Sequence, residues 1–339
     1  MASPAVQVPP PSVRPDYRRG IVFGVVSYGL WGLFPLYWPL LRPAGDVEML
    51  AHRMLWSLVF VAVVLTVSGR RGRAGWRAVR AVVRDRRRLG LLAAAAVLIT
   101  LNWGGYIYGV NNGHVVETAL GYFIGPLVSV LVGVLLLGER LRGAQWVAVG
   151  LGAAAVVVLT AGYGRPPWIA LTLAFSFGSY GLCKKLAATG AVESLAVETG
   201  ITAAPALIYL IILESTGAGT FTGHGAGHVL LLIATGAVTA IPLLAFGAAA
   251  TRIPLSLLGL LQYIAPVMQF LLGVLVLGEH MPPERWIGFT MVWLGLAILT
   301  WSGLRRSRKV QTGQPSHPRR AHGQVPPPQP LAGPTPRPP

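Results

Sequence analysis

Residues 120–146 read LGYFIGPLVSVLVGVLLLGERLRGAQW, and residues 260–286 read LLQYIAPVMQFLLGVLVLGEHMPPERW. The two stretches lie 140 positions apart, and their similarity continues without a gap for 41 positions, of which 13 are identical. Pro126 of the first stretch aligns with Pro266 of the second. Each stretch consists of two long apolar runs joined by a short Gly-Glu turn. The pattern predicts a transmembrane hairpin that occurs twice, in a chain built from two halves.

Charged residues are scarce in this chain and occur in clusters. Of its 339 residues, 53% are apolar and only 12% carry a charge, whereas about 25% of the residues of a soluble domain are charged. Several uncharged stretches reach the length of about 20 apolar residues that a membrane-spanning helix needs. The composition therefore predicts an all-α polytopic membrane protein.

The formal net charge of +17 does not indicate a nucleic-acid partner. The sequence has no basic domain with interleaved aromatic residues and no nucleic-acid-binding motif. Its lysines and arginines lie mainly in loops and tails, where they orient a membrane protein. Its one cysteine, Cys183, forms neither an internal disulfide nor a zinc site. We expect no metal and no other cofactor, and no cleavable signal peptide is evident.

Ten spans and two polar tails account for the whole chain. Residues 1–19 and 303–339 are rich in proline and are predicted to be disordered cytoplasmic tails. Residues 70–88 hold nine arginines and are predicted to form a loop that sets topology and contacts anionic lipid headgroups. The spans are predicted at about Gly20–Leu41, Val47–Val67, Leu89–Val110, Val115–Leu137, Ala144–Ala161, Trp168–Leu186, Leu195–Leu213, His228–Ala250, Pro254–Leu277 and Arg285–Trp301.

The distribution of positive charge gives the orientation. With the N-terminus inside, 24 of the 28 Lys and Arg residues lie on the cytoplasmic side, and only Arg42, Arg165 and Arg285 lie in outside loops. This asymmetry agrees with the positive-inside rule. We therefore expect a multi-pass protein with both termini in the cytoplasm.

The two halves must be inverted relative to each other, because five spans per half is an odd number. Ser27-Tyr28-Gly29-Leu30 recurs as Ser179-Tyr180-Gly181-Leu182, and Val47-Glu48 recurs as Val197-Glu198. The predicted fold is thus ten transmembrane helices in two inverted five-helix repeats, at residues 20–161 and 162–302. Such repeats are typical of secondary transporters that work by alternating access.

Several short motifs carry a resemblance to a known family. They are Glu48-x-x-x-His52-Arg53-x-x-Trp56-Ser57, Asn102-Trp103, Val110-Asn111-Asn112, Leu120-Gly121-Tyr122-Phe123-Ile124 with Pro126-Leu127, Leu137-Gly138-Glu139-Arg140, Ala174-Phe175-Ser176-Phe177 with Tyr180-Gly181-Leu182, Ala249-Ala250-Thr251-Arg252, and Gln262-Tyr263-Ile264 with Pro266. On these motifs the sequence resembles the RarD-type permeases of the EamA family, in the drug/metabolite transporter (DMT) superfamily. The resemblance covers roughly residues 20–301.

The resemblance implies ten helices, two EamA repeats and a location in the bacterial plasma (inner) membrane. It also implies a dimer or packing surface at spans 4–5 and 9–10, so that a homodimer is one expectation. The substrates of the family are generally not established, so the resemblance gives a class of protein and no ligand.

Ionisable residues inside apolar spans are the first candidates for a functional site, because a charge in a bilayer is costly unless it is paired or hydrated. Glu48, His52 and Arg53 lie near the outer end of span 2, with Glu48 and His52 on one helical face. We interpret them as a polar wall of the translocation path in which Glu48 or His52 carries a proton, or else as an interfacial cap. Glu198, at the equivalent position of span 7, is either the symmetric partner of Glu48 or a span-end carboxylate paired with a nearby lysine.

Two further spans carry polar candidates. Asn102 and Tyr106 are four residues apart on one face of span 3. They either hydrogen-bond a substrate or join helices to each other. Glu117, about a turn from the outer end of span 4, is either an interior or a wetted carboxylate.

The residues before the two aligned prolines form the last candidate pair. Tyr122 precedes Pro126 in span 4, and Gln262 and Tyr263 precede Pro266 in span 9. A proline frees a backbone carbonyl one turn earlier and permits a bend. These side chains either contact a substrate opposite the Glu48–His52 cluster or pack in kinked helices.

Glu139 and Glu279 of the two Gly-Glu turns are expected to lie at the membrane surface. Each is predicted to cap the helix that follows its turn, because helix N-terminal amides favour a carboxylate. They are therefore expected to be structural.

The leading hypothesis is a secondary active transporter for a small organic metabolite or drug, coupled to a proton. Direct use of ATP is not indicated, since the chain has no G-x-x-x-x-G-K-[ST] loop. An intramembrane enzyme is the alternative, but its paired aspartates, metal cluster or activated nucleophile are not evident in the sequence. A non-transporting receptor is a third hypothesis, and the long inverted duplication favours moving halves over it.

Overall fold

The computed structural model describes residues 15–67, 69–137, 143–250 and 252–312, and every regular element in these ranges is helical. The first half contains α1 (Pro15–Gly32), α2 (Phe34–Tyr37), α3 (Asp46–Val67), α4 (Gly69–Arg84), α5 (Arg86–Asn111), α6 (Val115–Leu137) and α7 (Gly143–Tyr163). The second half contains α8 (Trp168–Ala187), α9 (Ala191–Ser215), α10 (Gly225–Ala250), α11 (Leu255–Leu261), α12 (Ile264–Leu271) and α13 (Pro283–Thr312).

Among the described residues, seven helices are long and apolar enough to cross a membrane, by length and composition. The number becomes eight if the bent pair Asp16–Gly32 and Phe34–Leu41, which meet at 42°, is one span. The prediction of an all-α polytopic membrane protein is confirmed at this level.

Two spans are broken. The first breaks at Leu33, where α1 gives way to α2 and then to a 3₁₀ segment, Trp38–Leu41. Pro35 in α2 has no backbone N–H, which releases the carbonyl of the residue four positions earlier, Trp31. The second breaks between α11 and α12, just before Pro266, and α12 runs into a π-helical segment, Leu272–Val276.

Three predictions about the polar segments need correction. Residues 70–88 were predicted to form a loop, whereas α4 makes most of them helical. Its apolar residues repeat at helical spacing, so that Val82 packs against Leu92, Ala187 and Val197. The predicted tails are also too long, because α1 begins at Pro15 and α13 continues to Thr312. Proline suits the first position of a helix, which explains the early start of α1.

Helices of one half pack mainly on helices of the other. α1 packs on α10 and α12, whereas α8 packs on α5 and α6. α3 lies against both α9 and α10, and α7 lies along α13. Apolar side chains fill these contacts, and the largest buried cluster centres on Phe123, Phe270 and Phe289.

A glycine allows α3 and α10 to approach each other closely. A Cβ atom at Gly236 of α10 would collide with the backbone carbonyl of Trp56 in α3. The neighbouring Thr239 of α10 is buried and faces α3. This contact brings polar side chains of the two halves together at one place.

Candidate functional site

Arg53 of α3 is 3% exposed and lies among aromatic rings. Its guanidinium carbon is 3.9 Å from the ring centroid of Trp103, 5.0 Å from that of Trp38 and 5.6 Å from that of Phe34. Trp103 belongs to α5, whereas Phe34 and Trp38 come from the broken part of the first span. An aromatic face attracts a cation with up to about 2 kcal/mol where water is excluded.

The hydrogen bonds of Arg53 are few. Its Nε–H donates to Thr239 Oγ1 at 3.0 Å, and no acidic side chain forms an ion pair with it within the described ranges. Removing a charged group from water costs several kcal/mol, and cation–π contacts offset only part of that cost. Arg53 is therefore a buried cation whose charge the described residues leave uncompensated.

A second wall of the site lies on α5, α6 and α8. Asn102 Nδ2 donates to the Leu173 carbonyl at 3.0 Å and to Ser176 Oγ at 3.1 Å. The Tyr122 hydroxyl donates to Asn102 Oδ1 at 3.2 Å, and the Tyr122 ring lies 5.8 Å from that of Tyr106. Asn102 thus joins helices, as one of its two interpretations held.

Tyr106 has a buried hydroxyl with no hydrogen-bond partner among the described residues. Its ring lies 6.4 Å from that of Phe34, which also contacts Arg53. Tyr106 and Tyr122 pack in the same apolar cluster as Phe34 and Trp38, two of the rings that contact Arg53. The structure therefore brings Arg53, Tyr106 and Tyr122 together, with Asn102 behind Tyr122.

Gln269 of α12 stabilises the break in the first span. Its Nε2 donates to the Trp31 carbonyl at 3.0 Å, which is the carbonyl that Pro35 releases. The Gln269 side chain is buried, and its Oε1 has no partner among the described residues. The position of Phe34 and Trp38 against Arg53 thus depends on a side chain from the other half.

Glu48 is separate from this aromatic site. Its Oε1 accepts hydrogen bonds from the Thr220 backbone N–H at 2.7 Å and from the Thr220 hydroxyl at 2.9 Å. Thr220 lies between α9 and α10, and its hydroxyl is 2.8 Å from His228 Nε2. A chain of hydrogen bonds therefore connects the buried Glu48 carboxylate to the half-buried His228.

His52 also faces the segment that follows α9. Its ring stacks on Phe221 at 5.1 Å, and its Nδ1 accepts a hydrogen bond from Trp56 Nε1 at 3.2 Å. A tryptophan N–H only donates, so the neutral imidazole carries its proton on Nε2. That atom is buried and has no partner among the described residues. Glu48 and His52 thus share one face of α3, and Arg53 points elsewhere.

The other two candidate carboxylates are paired. Glu117 forms an ion pair with Arg165 at 2.9 Å and accepts a hydrogen bond from the Ile169 N–H in the first turn of α8. Glu198 forms an ion pair with Lys184 at 2.8 Å and accepts from the Tyr180 hydroxyl at 3.1 Å. Both arrangements join neighbouring helices.

Gln262 and Tyr263 lie at the break between α11 and α12. Tyr263 packs against the large apolar cluster. This packing agrees with the second interpretation of the pair, and contact with a substrate opposite the Glu48–His52 cluster stays a prediction.

Glu279 does cap a helix, but not the one that was predicted. Its two carboxylate oxygens accept hydrogen bonds from the backbone N–H groups of Val115 and Val116, the second at 2.9 Å, in the first turn of α6. The following helix, α13, begins four residues later at Pro283, which has no N–H. Burial raises the pKa of the Glu279 carboxyl, and the two N–H groups oppose that rise. Glu139 lies outside the described residues.

Sequence patterns alone missed Trp38, Thr239, Gln269 and His228 as parts of these arrangements. Trp38 carried a usable signal, since it lies between Pro35 and Pro39 in an interrupted span. Thr239 and Gln269 carried none, because one polar residue in an apolar helix does not reveal its partner.

Comparison with known proteins identifies the family to which this chain belongs. A model of the EamA-like transporter family matches the chain twice, at residues 18–161 and 166–301. The chain belongs to the EamA-like transporter family. Its similarity to individual members extends over most of its length.

Three relatives illustrate the range within the EamA-like transporter family. A protein RarD of Streptomyces exfoliatus is 59% identical over 87% of this chain and 92% of its own length. An uncharacterized transporter of Pseudomonas aeruginosa is 41% identical over 86% and 97%. A protein RarD of Escherichia coli (strain K12) is 38% identical over 86% and 97%. The chain therefore resembles RarD proteins and related transporters over most of its length.

A solved crystal structure aligns with 84% of this chain and 98% of its own, with a TM-score of 0.52. The sequence identity of 21% limits that likeness to the fold. The EamA-like fold therefore has a counterpart among solved structures.

Proposed function

We propose that this protein is a secondary active transporter (permease) that moves a small organic metabolite or drug across the plasma membrane by alternating access. The observation that carries the proposal is the position of the Arg53 site between the two halves. Arg53 and Trp103 belong to the first half, and Thr239 belongs to the second. A site at a repeat interface is opened and closed when one repeat moves against the other.

The proposal includes ten spans in two inverted repeats. Eight spans are long and apolar enough to cross a membrane when the bent pair counts as one. We propose that α8, with 20 residues, and α13, with 30 residues, are the other two. The double match to the family model supports two repeats. The packing of the helices also supports two repeats, because α8 packs on α5 and α6 as its equivalent α1 packs on α10 and α12. The charge asymmetry supports an inner-membrane protein with both termini in the cytoplasm.

The proposal also couples transport to a proton at Glu48. The Glu48–Thr220–His228 chain of hydrogen bonds supports this coupling, because it connects a buried carboxylate to a half-buried imidazole. A hydroxyl between an acid and a base passes a proton by exchanging its own hydrogen bonds.

Transport in proteoliposomes tests the proposal. Candidate compounds come from comparing the metabolites of cells with and without the protein. We expect the wild-type protein to exchange a labelled compound across the membrane and to accumulate it when a pH gradient is imposed. A protein that binds such compounds but moves none of them is a receptor and contradicts the proposal.

The Glu48→Gln variant separates coupling from transport. We expect it to retain exchange without a gradient and to lose accumulation driven by the gradient, because an amide does not take up a proton. Glu284→Gln, at an exposed position of α13, is the matched control and keeps both activities. Accumulation by Glu48→Gln at the wild-type level would exclude the proton role of Glu48.

A further inference from the structure

We infer that the Arg53 site binds the carboxylate of a small organic monoanion and holds its apolar body against the surrounding aromatic rings. The inference rests on the transporter proposed above and names the class of its substrate. It follows from three features of the site. The terminal N–H groups of Arg53 have no acceptor among the described residues, two neighbouring donors also lack one, and the second repeat has no arginine at the equivalent position.

The unoccupied groups of Arg53 lie at the edge of its guanidinium. Aromatic rings stand over the group, with the nearest centroid at 3.9 Å, and the Nε–H is bonded to Thr239. A guanidinium has five N–H groups in one plane, and no described residue accepts from the terminal amino groups. Two parallel N–H groups in a plane match the two oxygens of a carboxylate.

Two neighbouring donors are likewise without partners. Trp38 Nε1 and the Tyr106 hydroxyl are both buried, and neither has a hydrogen-bond partner among the described residues. The Trp38 ring lies 5.0 Å from the guanidinium carbon, and the Tyr106 ring packs against Phe34 at 6.4 Å. A tryptophan N–H only donates. The site therefore presents donors that lack an acceptor, which a carboxylate supplies.

The fold itself does not require an arginine at this position. In the alignment that pairs Glu48 with Glu198, Arg53 pairs with Ala203 of α9. The equivalent helix α9 also packs on helices of the other half, α3 and α5, without a cation there. A buried charge without a structural counterpart in the equivalent repeat is more consistent with a ligand site than with a packing role.

The charge of the site limits the charge of the ligand. Glu48 is held by Thr220, Glu117 by Arg165 and Glu198 by Lys184, so none of them neutralises Arg53. One uncompensated positive charge in an apolar site matches one negative charge. A carboxylate satisfies this condition, whereas the second charge of a phosphate monoester would be left buried and unpaired.

Binding to the purified protein in detergent, without any gradient, tests the inference. The probes are phenylacetate, its neutral isostere phenylacetamide and the cation phenethylamine, measured by calorimetry. We expect phenylacetate to bind about 10- to 100-fold more tightly than phenylacetamide, as charge-assisted hydrogen bonds require. Equal affinity for the two, or preference for phenethylamine, would overturn the inference.

Variants locate the binding. Arg53→Gln should lose the preference for phenylacetate, whereas Arg19→Gln, an exposed position with the same change of charge, should bind like the wild type. Tyr106→Phe keeps the ring and removes a hydroxyl that has no partner among the described residues, so it should fold normally and bind phenylacetate more weakly. Unchanged phenylacetate affinity in folded Arg53→Gln and Tyr106→Phe proteins would place the carboxylate elsewhere and overturn the inference.

The binding and transport measurements can refute the inference and the proposed function independently of each other. A protein that binds phenylacetate through Arg53 but transports nothing in proteoliposomes keeps the inference and loses the proposed function. If the wild-type protein and its Arg53→Gln variant transport a neutral or cationic compound equally well, and neither selects a carboxylate, the proposed function stands and the inference is lost.

Discussion

At the scale of single residues, the buried ionisable side chains differ in what they contact. Glu117 and Glu198 form ion pairs, and Glu48 accepts two hydrogen bonds from Thr220. Arg53 has aromatic rings and a single hydroxyl. Glu117 and Glu198 thus have a counter-charge, whereas Arg53 has none within the described residues.

The sequence could indicate which residues are unusual, but not which partners they have. Arg53 and Glu48 stand out because charges in apolar spans are costly. Their partners Thr239 and Thr220 are ordinary threonines far along the chain, so composition and spacing carry no information about the contact. For the same reason the sequence grouped Arg53 with Glu48 and His52, whereas the structure directs it to a different site.

A residue-scale prediction concerns the cap of α6. Glu279→Ala removes the carboxylate that accepts the N–H groups of Val115 and Val116. The loss should lower the free energy of unfolding by about 1–2 kcal/mol, as for other helix caps. Thermal unfolding of the purified protein measures the effect. Glu284→Ala, in the exposed first turn of α13, should change it by about half a kcal/mol at most.

At the scale of elements, the apolar runs of the sequence predicted the long helices well. They predicted the breaks within helices, and the polar helix α4, less well. The boundaries of α6 agree with the prediction because a turn and a Gly-Glu pair flank one uninterrupted apolar run. α4 was missed because six of its 16 residues are arginines, and its burial against α5 and α9 depends on few side chains. Aligned prolines also act differently, since α6 continues through Pro126 whereas the helix breaks before Pro266.

An element-scale prediction concerns the contact of α3 with α10. Gly236→Ala places a Cβ atom against the Trp56 carbonyl, so the two helices must separate. We expect a loss of about 1–3 kcal/mol in the free energy of unfolding, as for other overpacked contacts. Gly247→Ala in the same helix is the control, because a Cβ atom there has no neighbour within 4 Å. Equal stability of the two variants would contradict the close approach of α3 and α10.

At the scale of the whole molecule, the packing of the helices follows an approximate two-fold relation. α3 pairs with its equivalent α9, and α7 pairs with its equivalent α13. The repeated hairpin predicted a duplication, because 140 residues separate two similar stretches. Similarity between the halves does not specify which helices touch, so the pairing across halves could not be predicted.

A whole-molecule prediction concerns the two Gly-Glu turns, which inverted repeats place on opposite sides of the membrane. In a Cys183→Ser background, we expect a cysteine introduced at His280 to react with an impermeant maleimide added to intact cells. A cysteine introduced at Arg140 should react only after the membrane is opened. Labelling of both positions from the same side would contradict the inverted arrangement.

The hydrogen bond from Gln269 to the Trp31 carbonyl affects the free energy needed to change the bend of the first span. The bend that holds Phe34 and Trp38 at Arg53 is stabilised in part by this one neutral hydrogen bond to a rotatable amide, beside the bond that the Tyr37 hydroxyl donates to the Leu231 carbonyl. Releasing such a bond changes the free energy by about 1 kcal/mol, or roughly a fivefold change in population at room temperature. Loss of this hydrogen bond therefore weakens the hold on the bend by an amount comparable to thermal energy, and it leaves the backbone hydrogen bonds of α1 and α12 intact.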